Sequence, residues 1–351
     1  MTHYSPSESQ QWMLTWLRAL VGGEDAVLGA LDDDMARDLK GARLEGLAIS
    51  HGAGHSTFGG LEREAFMRGA THVAAATRCV AILAAAGVRS VILKGAPLAT
   101  VFWPGHDVIE RSTSDVDILV APGNVDAAQA ALLSAGLADI DRFAPWYRQR
   151  WHFHNVFTME RPPSPVELHW DLMVPVMGRL PIDEIIADAV NVTTADGRSL
   201  PAPDASWQFI SACIHAVQHV FDLRCLLDIA FVAHALDDTQ WERVAALAEH
   251  SKIGPLVWFA SRASADLFRW QTTPQLDRLK PGPVRTRLLL RYLARHPVLE
   301  PTTTTGSRIW RVFLPVLSGS SLRWLVYLPM TLLDRPRLAG LIPRRRATPP
   351  D

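Results

Sequence analysis

Cysteine is scarce in this 351-residue chain, net charge is nearly absent, and no long apolar run occurs. The three cysteines, Cys79, Cys213 and Cys225, form no CxxC pair and no even set. That excludes a disulfide framework and leaves buried thiols as the expectation. A net charge of −1 and a pI near 6.9 provide no global field for nucleic acid or an anionic membrane, so any phosphate binding must be local. No uncharged apolar stretch reaches the roughly 18 to 20 residues of a membrane span. The opening MTHYSPSESQQWML lacks the basic and apolar parts of a secretory signal, so a cytoplasmic location is expected. No internal repeat occurs. HAVQH (215 to 219) lacks the glutamate of HExxH, which removes zinc-protease chemistry.

What is present is enough apolar sequence for a full core, 48% hydrophobic against 20% charged, in two or three packed units. From Glu8 to about Ala86 apolar residues recur at helical spacing (Trp12, Leu14, Trp16, Leu17, Leu20), interrupted by the glycine-rich HGAGHSTFGG at 51 to 60. VRSVILKG and DVDILVAP then read as short strands ending at Gly95 and Pro122. A helix is expected from Asn124 to Ala135, with Val125, Ala128, Leu132 and Leu133 on one face and Gly136 as its stop. WHFHNVFTM and PVELHWDLM alternate as strands on either side of ERPPSP, a hairpin connection. After TTADGRSLPAPDAS the pattern is helical, over 207 to 235, 239 to 250, 255 to 270 and 283 to 296. Trp207, Phe209 and Phe221 read as core.

The fold class is therefore α/β of the α+β kind: a small mixed-sheet core at 76–200, an N-terminal helical region at 1–75, a C-terminal helical domain at 201–340 and a disordered basic and proline-rich tail at 341–351. Between Arg308 and Arg346 eight arginines stand against one acid, Asp334, interleaved with Trp310, Phe313, Trp324 and Tyr327. A helical cap with solvated arginines is the main expectation there, contact with a membrane surface or phosphate-rich partner the lesser one.

Chemistry concentrates in VILKGAPLATVFWPGHDVIERSTSDVDILV, residues 91 to 120. In a strand, i and i+2 share a face, so Asp115 and Asp117 project together, while Val116, Ile118 and Val120 divide between core and sheet interior. Two neighbouring carboxylates repel unless a proton or cation lies between them. Mg²⁺ (or Mn²⁺) held by one or two carboxylates, with phosphates completing its shell, resolves this and seats a nucleoside triphosphate. Upstream, Lys94 offers a point charge and Gly95 lets backbone approach phosphate. Arg111 and Ser114 stand just before the carboxylates as further donors to a nucleotide.

LKGAPLATVFWPG, ERSTSDVDILV, VELHWDL and HAVQHVFDLRCLLDIA, in that order over about 90 to 235, resemble the uncharacterised bacterial nucleotidyltransferase family of the DNA polymerase β-like superfamily. That superfamily has an hG[GS] turn, a DxD or DxE strand and a third acid on a later strand. Here Ala96 replaces the usual Gly or Ser, removing one possible hydroxyl contact to phosphate. The resemblance implies a nucleotidyltransferase using two Mg²⁺ ions. Asp115 and Asp117 would bridge them, and Glu167, fifty positions on, would hold the second and help deprotonate a hydroxyl acceptor. Asp171 is the fallback third acid.

His169 shares Glu167's face in a regular strand, with backbone bonding and substrate contact as equal alternatives. His215 and His219, four apart on one helical face with Arg224 and Asp228 beyond, are packing residues or substrate contacts. His152 and His154 share a face without an apparent third metal ligand. The expected partners are an NTP and an unknown hydroxyl acceptor (small molecule, peptide or protein), with no specific nucleic acid. The alternatives are a non-catalytic nucleotide- or partner-binding module and, with less support, a DxD glycosyltransferase.

Overall fold

The computed structural model describes residues 6–111, 113, 115–140, 152–173 and 177–295. The arginine-rich segment and the tail expected at 341–351 lie outside the described residues, as does Ser114. In chain order the helices are α1 (Glu8–Val21), α2 (Asp33–Gly41), α3 (Glu45–Ser50), α4 (Leu61–Ala85), α5 (Ala96–Phe102), α6 (Val125–Ser134), α7 (Ile182–Ala187), α8 (Ala205–Gln218), α9 (Leu223–Ala235), α10 (Asp238–His250), α11 (Gly254–Phe268), α12 (Pro274–Arg278) and α13 (Pro283–Arg295). The strands are β1 (Ser90–Ile92), β2 (Val116–Val120), β3 (Ala138–Asp139), β4 (His154–Glu160), β5 (Pro163–His169), β6 (Val190–Thr193) and β7 (Ser199–Ala202). Among the described residues no helix is long and apolar enough to cross a membrane.

Five strands form one mixed sheet in the order β1-β2-β5-β4-β3, and β6 and β7 form a separate hairpin. β2 and β5 run parallel, while β1 with β2, β5 with β4 and β4 with β3 are antiparallel. The expected β4–β5 hairpin is present, its register closing at Glu160 opposite Pro163. The two-residue period then sorts side chains strictly. Val116, Ile118, Val120, Phe157, Met159, Val166 and Leu168 all enter one core with α4 and α6. The three β2 aliphatics therefore do not divide between two environments; being two apart, they share the α4 face. In α6, Ala128 and Leu132 are buried but Leu133 is half exposed, because it lies about 100° round the helix from Leu132.

The sheet's other face looks toward the helices that follow. α1 to α3 and α8 to α11 share a second core, to which Val91, Leu93 and Leu119 also belong. Arg18 in α1 donates to the Leu267 carbonyl at 2.9 Å, across 249 positions of sequence. The run expected as one helix over 207–235 is two. His219 ends α8, and Val220 and Phe221 both take φ of 58°, in the left-handed region no helix tolerates. Phe221 is buried against Phe259, with ring centroids 5.2 Å apart, which offsets the strain of that turn. Asp222 then caps α9 through the Arg224 N–H at 3.0 Å. The three cysteines are free and buried, and Trp207, Phe209 and Phe221 are core residues.

Candidate active site

The parallel β2–β5 register sets Asp117 directly beside Glu167, and Leu119 beside His169. On β5's other side the antiparallel register sets His154 beside His169. Cross-strand partners stand on the same face. One row of the sheet thus carries Asp117 and Glu167, and the next carries His169 and His154. Asp115, one residue before β2, joins them: carboxylate oxygens of Asp115, Asp117 and Glu167 all lie within 4.8 Å of one another.

Two cationic side chains hold this acidic group. Lys94, where the chain leaves β1, places Nζ 3.1 Å from Asp117 Oδ2. His169 places Nε2 3.0 Å from Asp117 Oδ1 and 3.3 Å from Glu167 Oε2. Burial favours neutral Asp117, but Lys94 and the His169 hydrogen bond together hold its carboxyl well below the usual range. Asp115 goes the other way, raised by burial and then by the Asp117 charge. Burial would lower the Lys94 ammonium, yet Asp117, Asp115 and Glu167 keep it raised. Burial likewise opposes a charged His169, and its bonds to Asp117 and Glu167 push it up to about 9. The repulsion that the sequence alone assigned to a metal is thus already met by protein groups.

The turn after Lys94 needs glycine. Gly95 has φ of 67° and ψ of −122°, and a Cβ there would lie 2.3 Å from His72 Nε2. His72, on α4, is buried with neither ring nitrogen hydrogen-bonded among the described residues. Burial lowers it to about 4 despite the nearby Asp117 charge.

Arg111 does not stand among the acids. It is buried and forks onto Asp228 of α9, Nε to Oδ1 and a terminal nitrogen to Oδ2, both at 2.7 Å. Trp103 Nε1 donates to the same Oδ1 at 3.0 Å. With two donors committed to a bidentate partner, Arg111 clamps the segment before β2 to the helical bundle, an engagement the nucleotide contact expected of it would have to share. Asp171, the fallback acid, lies beyond β5, where its Oδ1 accepts the Leu172 N–H at 2.8 Å. Burial pushes its carboxyl up to about 7 against the N–H groups of Leu172, Met173 and Leu180. His215 is buried with Nδ1 3.4 Å from Cys225 Sγ, and the exposed His219 ring is centred 4.2 Å away. Arg224 and Asp228 belong to the next helix, not to the face carrying these histidines. Sequence reasoning gave His72 no role and placed Asp228 only beyond the histidine pair; α4 packing sets His72 against Gly95, and the turn before α9 leaves Asp228 on Arg111.

A family model described as an uncharacterised nucleotidyltransferase matches residues 54–269, well over half of the chain. The chain belongs to this family. The matched span includes Lys94, Gly95, the three acids, both strands that carry them and Asp228. No curated protein matches the sequence. Three carboxylates converging on one sheet face are a donor set that suits a hard divalent cation, so the residues of this family member fit the metal that nucleotidyl transfer calls for.

Proposed function

We propose that the protein is a Mg²⁺-dependent nucleotidyltransferase that moves a nucleoside monophosphate from an NTP to a hydroxyl acceptor, with Asp115, Asp117 and Glu167 as its metal-holding acids. The observation that carries this reading is the Asp117–Glu167 cross-strand pair with Asp115 alongside. A divalent cation bound there would neutralise phosphate charge and stabilise departing pyrophosphate.

The chain's own groups supply the rest. Lys94 has a flexible stem and a Nζ already in the acidic cluster, so it is placed to trade Asp117 for a phosphate oxygen. Gly95 keeps the turn free of a side chain, letting backbone approach a phosphate. Glu167 is the more open acid, its side chain 25% exposed against 2% for Asp117, which suits it to receive the acceptor's proton. His169 holds Asp117 and Glu167 in place, and the exposed His219 is a candidate acceptor contact at the helical side.

One observation favours a non-catalytic nucleotide-binding module. Lys94 and His169 give Asp117 counter-charges from the protein itself, so these contacts have a structural account that does not call for catalysis. Incubation with α-labelled NTPs and cell extract separates the two readings. Labelled acceptor is expected with the native chain and absent with Asp115→Asn, Asp117→Asn or Glu167→Gln. Label that attaches regardless of all three changes refutes the proposed site, and Mg²⁺-dependent NTP binding without labelled product establishes the binding module.

A further inference from the structure

Beside the three acids lies a second constellation with different chemistry. His154 and His169 are opposite residues of the antiparallel β4–β5 pair, and Glu167 precedes His169 by two positions on the same face. One ligand atom from each of His154, Glu167 and His169 lies within 4.8 Å of the other two. His154 Nε2 is 3.9 Å from Glu167 Oε2, and His169 Nε2 is 3.3 Å from the same oxygen. Ligands on a tetrahedral ion with bonds of ~2.0–2.1 Å stand about 3.3–3.4 Å apart. His169 Nε2 already meets that spacing to Glu167, His154 Nε2 stands about 0.5 Å beyond it, and the three donor atoms stay within 4.8 Å of one another.

The His154 ring packs against His152, Phe153 and His169, but that packing leaves its polar atoms to be accounted for. Its Nδ1 is buried and unbonded, and 3.9 Å is too long for a hydrogen bond, so the ring forms none among the described residues. Two imidazole nitrogens and one carboxylate, with a position left open, are a donor set for a borderline transition ion, whereas Mg²⁺ takes oxygen.

We propose that His154, Glu167 and His169 form a transition-metal site of the Zn²⁺ class, sharing Glu167 with the acidic cluster and leaving one coordination position for water or a hydroxyl. His169 gives up its Nε2 proton to solvent when it turns that nitrogen to the ion, and Asp117 keeps Lys94 as its counter-charge. The two constellations differ in donor type, so they select different ions from the same solution. Nucleotidyl transfer is not a premise of this site.

The full-length chain, stripped with chelator and returned to excess Mg²⁺, is titrated with Zn²⁺ by calorimetry, and with Co²⁺ to read visible bands of a low-coordinate ion. One Zn²⁺ per chain is expected. His154→Ala should weaken it by at least about 100-fold, the upper end of what losing a mere outer-shell partner costs. Mg²⁺-dependent NTP binding by that variant should be unchanged. His154→Gln, closer in volume, repeats the measurement if the alanine variant fails to fold by circular dichroism. Zn²⁺ binding in a Cys225→Ala/His219→Ala chain should persist, which separates this site from the His215 neighbourhood. The inference is overturned if the native chain binds no Zn²⁺, or if either His154 variant binds it as tightly. Zn²⁺ binding that depends on His154, in a chain without transferase activity, upholds this site while removing the proposed function.

Discussion

Replacing Asp228 by Asn tests the Arg111 clamp most directly. The carboxylate is 1% exposed, accepts two bonds from an equally buried guanidinium, and takes the Trp103 indole N–H on one of the same oxygens. Asparagine keeps an acceptor for Trp103 but leaves the Arg111 charge inside the protein without a counter-ion. Breaking one side of a buried pair costs about 3–5 kcal/mol. With a urea dependence near ~3 kcal/mol per molar for a chain of this size, the midpoint should fall by about 1–1.7 M. Arg111→Met should cost a similar amount, because Asp228 then keeps only Trp103. The double variant Arg111→Met/Asp228→Asn removes both charges and should lie within about 1–2 kcal/mol of the native chain, with a coupling energy of at least ~4 kcal/mol. Equilibrium urea unfolding followed by tryptophan fluorescence measures all four corners of the cycle. Simple addition of the two single losses would refute the pairing argument. Weakened NTP binding in the stable double variant would assign the nucleotide contact to Arg111 as well.

Gly95→Ala should destabilise by about 1–3 kcal/mol from backbone strain alone, and further from the clash with His72, its Cβ falling 2.3 Å from Nε2. Adding His72→Ala should recover the clash but not the strain, as thermal melts would show. His72 itself sets a pH dependence: its pKa falls from 6.5 to about 4 in the fold, so the unfolded chain binds the proton first. Stability should therefore decline as pH falls from about 6.5 toward 4, by up to roughly 3 kcal/mol, and His72→Phe should flatten that slope. His169 has the opposite sign. Raised to about 9, it adds stability that is complete below pH 6.5 and fades as pH rises through 9, and histidine NMR titration should show a value near 9 that His169→Gln abolishes. Asp117→Asn removes the partner of both Lys94 and His169, so the His169 titration should move down in the same spectra.

Much of the sheet was legible because a strand's two-residue period is a local property. It put Asp115 with Asp117, and Glu167 with His169, on shared faces, and the turn residues at Gly95, Pro122 and ERPPSP punctuated the strands correctly. Register was not legible. Whether Asp117 neighbours Glu167 depends on which strands pair and in which direction, and the parallel β2–β5 pairing fixes that only in three dimensions. Arg111 shows the same limit in another form: an arginine near an acidic pair suggests phosphate, but its partner lies 117 positions away on α9. The α8–α9 break escaped because valine and phenylalanine seldom adopt left-handed backbone, so nothing in their identity marks the turn. The sequence paired His154 with His152 on one face; only the β4–β5 alignment sets it opposite His169 and near Glu167.

The bond from Arg18 to the carbonyl of Leu267 ties the first helix to one made 249 residues later. On a ribosome adding ~5–20 residues per second, α1 emerges about 12–50 s before that late partner exists. Its earlier neighbours follow it at once: Trp16 meets the Ala26 carbonyl and the His51 ring, and residues of α2 and α3 share its core. Synthesis order therefore lets the N-terminal helices gather among themselves first and close onto α11 only at the end.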